Sequence, residues 1–389
     1  MKMKRRSSLR QTKGSIPCSK YISRGLVCFA LLALMVLSVA AVRNTEMELQ
    51  PAHGAVQSSK SSTSKSNIAS SPAVTISGLV RQPLQLGLRD LQAFDMLSVR
   101  RVDYRKTGFF GDFEFRGVPL RELILLADPW KKSGSFLRPT DLAIIVRNDL
   151  NQSALFSYGE LLFRSPNDII LAVDAETMMP KRSCDTCHSD RSDHEWRKAL
   201  NRKPVLPRIV ARCDLDADRS IEGVTNIEVV ELYSPAGQTD SNTKPEQTPS
   251  TAIKIRNSAA TLATINNLES YSRHSVHALE VGDAMGYHGE MRCEGAYLTD
   301  VLTSAKAESG PDVGYVIVAT DGYRALISSA ELFSTVQPPP ILIADRCNEQ
   351  ILEKDGAFKV IVANDNIAER WVKSTAEIEV VRAAPPNPR

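Results

Sequence analysis

Short apolar runs, some alternating with polar residues and some continuous, recur from residue 74 almost to the end of the chain. Val74-Thr75-Ile76-Ser77-Gly78-Leu79-Val80 alternates with a period of two and predicts a strand that stops near a proline. Asp141 to Val146 and Tyr315 to Ala319 are β-branched runs followed by turn residues. Ile169 to Val173 and Ile341 to Ala344 are continuous and apolar, which predicts buried strands. Ile227 to Leu232 and Ile378 to Val381 predict two more strands. Arg121 to Ile124 and Thr299 to Leu302 begin short apolar helix patterns. No βαβ spacing repeats, so the pattern excludes a doubly wound parallel sheet and predicts an α+β chain with several β-hairpins.

Upstream the pattern changes. Gly25 to Val42 (GLVCFALLALMVLSVAAV) is uncharged and apolar, about the minimum length for a membrane-spanning helix. Lys2, Lys4, Arg5, Arg6, Arg10, Lys13, Lys20 and Arg24 precede it without an acidic residue. A basic flank stays cytoplasmic, so residues 1–42 predict a signal peptide or membrane anchor. The body that follows is then extracytoplasmic, periplasmic or at the cell surface, membrane-anchored or secreted. Ser38-Val39-Ala40 offers a small-x-small cleavage site, which leaves cleavage and retention both open. Residues 43–72 are rich in Ser, Lys, Asn and Ala and predict a flexible tether, because they bury too little apolar surface to offset their ordering entropy.

The body repeats itself. Gly108-Phe109-Phe110-Gly111-Asp112-Phe113-Glu114-Phe115-Arg116-Gly117-Val118-Pro119-Leu120 lies over Gly286-Tyr287-His288-Gly289-Glu290-Met291-Arg292-Cys293-Glu294-Gly295-Ala296-Tyr297-Leu298 without a gap. Ala154 to Leu161 lies over Ala325 to Leu332, Arg219-Ser220-Ile221 over Arg370-Trp371-Val372, and Asn226 to Val230 over Glu377 to Val381. Several blocks in one order indicate an internal duplication. It predicts a first domain over 73–232, a polar, proline-containing linker over 233–252, a second domain over 253–383 and a tail over 384–389.

Laying the copies over each other exposes an insertion. Ala172 to Arg219 takes 47 steps and Ala344 to Arg370 takes 26, so the first copy carries 21 extra residues, within about 176–204. Inside it stands Cys184-Asp185-Thr186-Cys187-His188, the pattern of c-type haem attachment. Two thiols about one turn apart reach the two vinyl groups of one haem, and the adjacent imidazole falls under the iron. A sixth ligand could be Met178, Met179 or His194, or it could be absent. Three other readings stand beside it: a Cys184–Cys187 disulfide, natural in an oxidising compartment; zinc on Cys184, Cys187, His188 or His194 with Cys213 as a possible fourth ligand; and chance. Cys293 reads as a small core residue, and no disulfide connectivity follows from Cys213, Cys293 and Cys347.

Composition adds exclusions. The formal charge of +3 is concentrated in the N-terminal head, and no basic stripe with interleaved aromatics appears, so no nucleic-acid partner is expected. There is no G-x-S-x-G, H-E-x-x-H or P-loop, so no hydrolytic or nucleotide-binding constellation stands out. His274 and His277 are three apart and could share a helix face on a solvated surface.

The repeated blocks resemble the oxidoreductase molybdopterin-binding domain of sulfite oxidases and their relatives. The residues that carry the resemblance are Gly286 to Leu302, Thr320-Asp321-Gly322-Tyr323-Arg324-Ala325, Ile343-Ala344 and Glu369-Arg370-Trp371-Val372-Lys373, within 253–382, with a fainter echo across 74–232. The resemblance implies two copies of a mixed α+β domain of the sulfite oxidase type and a molybdopterin cofactor. It also implies one cysteine thiolate on molybdenum, upstream of the aromatic-rich block. That stretch is 99–106 in the first copy and 276–285 in the second, and neither contains a cysteine. A soft thiolate is not readily replaced by oxygen or nitrogen groups. The expectation is therefore an exported redox protein that lacks catalytic molybdenum, passes electrons through a c-type haem to a redox partner protein, and meets the membrane through its N-terminal segment. A molybdopterin-dependent oxidoreductase and a cofactor-free binding module are the alternatives. For the last, His288, Arg292, Asp321, Tyr323, Arg370 and Lys373 form a candidate anion pocket, weighed against ordinary turn and surface roles.

Overall fold

The computed structural model describes residues 74–131, 136–164, 166–178, 199, 201–233, 248–282, 286–353 and 356–383. The predicted targeting segment and tether, most of the predicted linker and most of the insertion lie outside these residues. The described residues belong to one compact unit, Ile68–Arg389. The first half of that unit contributes β1 (Val74–Gly78), β2 (Leu84–Leu86), β3 (Leu97–Arg105), β4 (Gly108–Pro119), β5 (Leu142–Asn148), β6 (Ser153–Ser157), β7 (Ile169–Thr177), β8 (Arg208–Ala211) and β9 (Val224–Glu231). The second half contributes β10 (Ile253–Arg256), β11 (Thr261–Ile265), β12 (His274–Gly282), β13 (Gly286–Tyr297), β14 (Val313–Ala319), β15 (Arg324–Ser328), β16 (Ile341–Cys347), β17 (Gln350–Ile351), β18 (Lys359–Val362) and β19 (Thr375–Arg382).

Strands dominate, which corrects the α+β expectation. The chain is mostly β, with four sheets as blades in a propeller-like set. Their orders are β2-β1-β9-β5-β6 and β3-β4-β7-β8, then β11-β10-β19-β14-β15 and β12-β13-β16-β17 with β18 on β16. The helix patterns after the glycine blocks do form, as Leu120–Ala127 and Leu298–Ser304, but each is only about two turns long. Each packs its apolar face into the core of its own half. Leu120, Leu123 and Ile124 are fully buried and contribute about 1.5–3 kcal/mol each. His274 and His277 lie on strand β12, where a separation of three puts them on opposite faces of the sheet.

The two halves repeat one topology. β1 runs parallel to β9, and β10 parallel to β19, while every other pairing within the sheets is antiparallel. In the first half, Val74, Ile76, Ile144, Val146, Ile227 and Val229 of one sheet pack on Val118, Leu171, Ile209 and Ala211 of the other. The second half packs Ile253, Ile255, Tyr315, Ile317 and Ile378 on Ala296, Ile343, Val360 and Val362.

A third apolar layer joins the halves. Ala143, Ile145 and Leu155 meet Val316, Val318, Leu326, Val381 and Ala383. β5 and β14 are therefore buried on both faces, which is why their sequences are continuous apolar runs and do not alternate. Backbone hydrogen bonds also cross this seam, from Leu155 N to Pro311 O, Leu215 N to Ser334 O, Val336 N to Cys213 O and Asn366 N to Phe163 O.

The repeated glycine blocks are β4 and β13, both twelve-residue strands. Gly117 and Gly295 stand at matching bulges, where β4 crosses β7 and β13 crosses β16. A Cβ on Gly295 would fall inside the van der Waals shell of the Ile343 carbonyl, and one on Gly117 would strike that of Leu171. The obstruction is backbone in both cases, so no side chain can move aside. We expect Gly295→Ala to destabilise the protein by about 1–3 kcal/mol in urea unfolding, whereas Gly286→Ala, which meets open space but sits at φ +73, should cost less.

Candidate functional site

The insertion leaves the fold after β7 and returns before β8. Its described ends lie beside adjacent residues of β4. Met178 N donates to Asp112 O at 2.8 Å. The Ala199 carbonyl approaches Gly111, where a Cβ would stand 3.2 Å from it; Gly111 has φ +136. Arg202 then ties the returning chain to Asp103 at 3.1 Å and also pairs with Glu222. Its guanidinium and that of Arg105 lie over the Phe110 ring, 5.9 and 5.7 Å from the centroid. The root of the insertion therefore sits at the tip of the β3–β4 hairpin. Cys184, Cys187, His188, His194 and Met179 lie outside the described residues; Met178 is half-buried at the exit.

The outer face of this sheet carries Val99, Phe113, Phe115, Ile170, Ala172 and Val210, all buried. At the edge of that face, Arg208 and Asp103 form a fully buried bidentate pair at 2.9 and 3.0 Å. Burial works to raise the Asp103 carboxyl, but the hydrogen bonds and charge of Arg208, with Arg105 and Arg202, hold it below the usual carboxylate range. The second half repeats the device with other residues. Buried Lys359 and half-exposed Lys373 approach Glu280 at 3.8 and 3.6 Å.

These two clusters occupy the stretches in which a molybdenum thiolate is expected from the resemblance, and the chemistry there does not fit that metal. Asp103 and Glu280 are carboxylates committed to cations. Among the described residues, Cys213 is free, and it lies on neither β3 nor β12. Its thiol is 3.1 Å from an Asp168 carboxylate oxygen, and burial, aided by that carboxylate, pushes its pKa up to about 11, so it is a poor source of thiolate. No group of three potential His, Cys, Asp or Glu ligands gathers among the described residues.

Cys293 is not the lone core residue expected. It faces Cys347 across β13 and β16 in direct register, and the two form a disulfide. The matching positions in the first half are Phe115 and Ala175, where an aromatic ring fills the same space. Sequence separation of 54 hid the pairing, and only the strand register reveals it.

The six residues of the candidate anion pocket are scattered. Arg370 is fully buried at the seam, bonded to Asp365 at 2.7 Å through Nε and one terminal nitrogen and to Glu331 at 2.9 Å. Tyr323 donates its hydroxyl to Glu369 O at 2.5 Å, and burial pushes that phenol up to about 12. Asp321 accepts the Tyr323 N–H at 2.9 Å, closing a turn. His288 and Arg292 are exposed on β13, where Arg292 Nε donates to Ser275 Oγ at 3.2 Å. Lys373 belongs to the Glu280 cluster. Asp321 and Tyr323 share a turn, but the six do not converge on one cavity.

Of the six, Arg370 belongs instead to a crossed network at the seam. Ser157 Oγ donates to Glu331 at 2.8 Å and Ser328 Oγ donates to Glu160 at 2.9 Å, each reaching into the other half. Arg219 bonds Glu160 and Asp214, both at 2.7 Å, as Arg370 bonds Glu331 and Asp365. Ser157, Glu160 and Arg219 are the residues aligned with Ser328, Glu331 and Arg370 in the repeated blocks. The coincidence of a Ser, a Glu and an Arg in otherwise apolar repeats was the available signal. Gly159 makes room here, since a Cβ on it would meet the Arg370 side chain.

The first half adds an acidic loop, Asp214-Leu215-Asp216-Ala217-Asp218, that is already filled by a cation. Buried Arg101 donates to the carbonyls of Arg212, Asp214 and Asp216. A cavity of about 650 Å³ lies elsewhere, over Leu268, Leu352 and Phe358, with Arg273, Asp345, Glu269 and Arg346 at its rim.

No family model matches the chain, and no curated protein matches it. Among solved structures, the sulfane dehydrogenase SoxCD from Paracoccus pantotrophus is similar over 80% of this chain and 78% of that chain, at 12% identity and a TM-score of 0.28. A likeness that faint carries no argument about fold or activity.

Removing Arg370 would leave Glu331 and Asp365 buried without their cation. We expect Arg370→Ala to cost about 3–5 kcal/mol in denaturant unfolding, and Arg292→Ala, on the exposed face of β13, to stay within about 0.5 kcal/mol of wild type.

Proposed function

We propose that the chain is an exported redox protein that carries a covalent c-type haem on the insertion of its first half and passes single electrons to a partner protein. The observation that carries this reading is Cys184-x-x-Cys187-His188. Its donor set fits the group: two thiols for the two vinyl carbons, then an imidazole for the iron. Bound haem supplies reversible one-electron transfer. The chain's own contribution is placement. Met178, before the motif, is hydrogen-bonded to Asp112 of β4, and Ala199, after it, lies beside Gly111 of the same strand, so the described ends of the segment are near each other on one sheet.

An extracytoplasmic location, with residues 1–42 as signal peptide or membrane anchor, agrees with this chemistry. The Cys293–Cys347 disulfide supports it, because such bonds persist in oxidising compartments. No helix among the described residues is long and apolar enough to cross a membrane.

Full-length protein produced in a host with haem-attachment machinery should show a Soret band that survives a denaturing gel. Cys184→Ala with Cys187→Ala should abolish that band. Colourless wild-type protein from the same host would sink the proposal and favour a cofactor-free binding module, with the cavity over Leu268 and Phe358 as its first place to test. Stoichiometric molybdenum would favour the oxidoreductase reading instead.

A further inference from the structure

The cavity of about 650 Å³ is lined by residues of the second half alone. Leu268 and Phe358, both buried, form its floor. Ile351 and Leu352 form one wall, and Ile351 is 66% exposed.

That wall depends on a tight reversal of the chain. β16 ends at Cys347, turns in two residues and returns as β17, with Cys347 opposite Gln350. Asn348 and Glu349 make the turn at φ +49 and +66. A two-residue hairpin loop of this kind needs positive φ at both positions, and glycine is the usual residue at the second. A glutamate there is sterically disfavoured, so the turn has to be held from outside. Asn348 N donates to Arg292 O at 2.7 Å, and Arg292 N donates to Asn348 Oδ1 at 2.9 Å. The Cys293–Cys347 disulfide closes the next pair of residues. Leu352 N then donates to Asp345 O at 3.1 Å, which fixes the wall beside the floor. In the first half β7 runs on along β4 to Thr177, and no counterpart of β17 occurs among the described residues.

Five of the lining residues are charged. Arg273 is spent on Asp345, in a bidentate pair at 2.7 and 2.8 Å. Arg346 stands directly opposite Glu294 across β13 and β16, a placement in which opposite charges offset each other. Glu269 is left over. It is exposed, and its backbone N–H donates to Asn267 Oδ1 at 3.2 Å. Its carboxylate has no hydrogen-bond or ion-pair partner among the described residues. The rim therefore carries one surplus negative charge beside the exposed Ile351 side chain.

We propose that this cavity binds a small organic cation with an apolar body, an aromatic or aliphatic amine. The apolar part lies against Ile351, Leu352 and Phe358, and the ammonium meets Glu269. The volume is in the range of small-molecule sites. Burial of apolar surface supplies the affinity, and the unpaired carboxylate selects the sign of the charge. An anion would meet three carboxylates, and each guanidinium at the rim already has a carboxylate opposite it. The site is separate from the insertion and stands whether or not haem is attached there.

The test is isothermal titration of the full chain with tryptamine and with indole-3-propionate, which share a ring and carry opposite charges. Tryptamine should bind saturably, and indole-3-propionate about tenfold more weakly. Glu269→Gln, a change at an exposed position, should bring the two probes to within about threefold of each other. Leu352→Trp, which fills the cavity from its wall, should weaken tryptamine binding. The absence of saturable tryptamine binding to wild type would overturn the proposal, and so would indole-3-propionate binding as tightly; neither measurement needs a variant to fold. A charge preference unchanged in Glu269→Gln, or tryptamine binding unchanged in Leu352→Trp, would overturn it as well.

Discussion

Glu160 and Glu331 are buried charges, and each is satisfied partly from across the seam. The serine that begins each helical turn, Ser157 or Ser328, gives its hydroxyl hydrogen to the other half's glutamate and accepts the N–H of its own. Neither half could be separated without stripping both carboxylates of a donor and opening Arg219 and Arg370 to new partners. Breaking a buried pair leaves an uncompensated charge, which is far more expensive than the pair is worth. The network therefore fixes how the halves meet more than it adds net stability. The apolar layer of Ile145, Leu155, Val316 and Leu326 supplies the driving force beside it.

With the seam fixed, each half is free to differ at its far sheet, and there the copies have diverged. The register position shared by Phe115 and Cys293 shows how. One copy fills the space with an aromatic ring, 5.5 Å from Phe113, and the other closes it with a disulfide to Cys347. Beyond that point the second copy turns back through β17, while the first opens into the insertion. The buried cation-acid pair at the sheet edge is kept in both, as Arg208 with Asp103 and as Lys359 with Glu280. A carboxylate with a committed cation is a structural solution, and it stands where the resemblance looks for a metal-binding thiol.

Much of the strand layout was legible along the chain. Ile169 to Val173 and Ile341 to Ala344 read as buried strands because apolar content and β-branching are local properties. The glycines at 117 and 295 stayed recognisable because backbone crosses them too closely for any side chain. The fold class was not legible in the sequence, for a physical reason. The pattern after each glycine block is a true helix signal, but a pattern gives the presence of a helix and not its share of the core. The candidate pocket failed for a related one: an arginine in a repeat reads the same whether it meets an anion from solvent or a glutamate from the other half.

The sequence by itself determined the apolar N-terminal run, the repeated blocks and the placement of Cys184, Cys187 and His188 in an excess of 21 residues. These follow from order, spacing and composition, which need no third dimension. Only the tertiary structure decided that Cys293 meets Cys347, that Arg370 faces Asp365 and Glu331, and that Ser157 serves the other half. Each is a contact between residues far apart in the chain, set by strand register and by the packing of one half on the other. Neither is encoded at any single position.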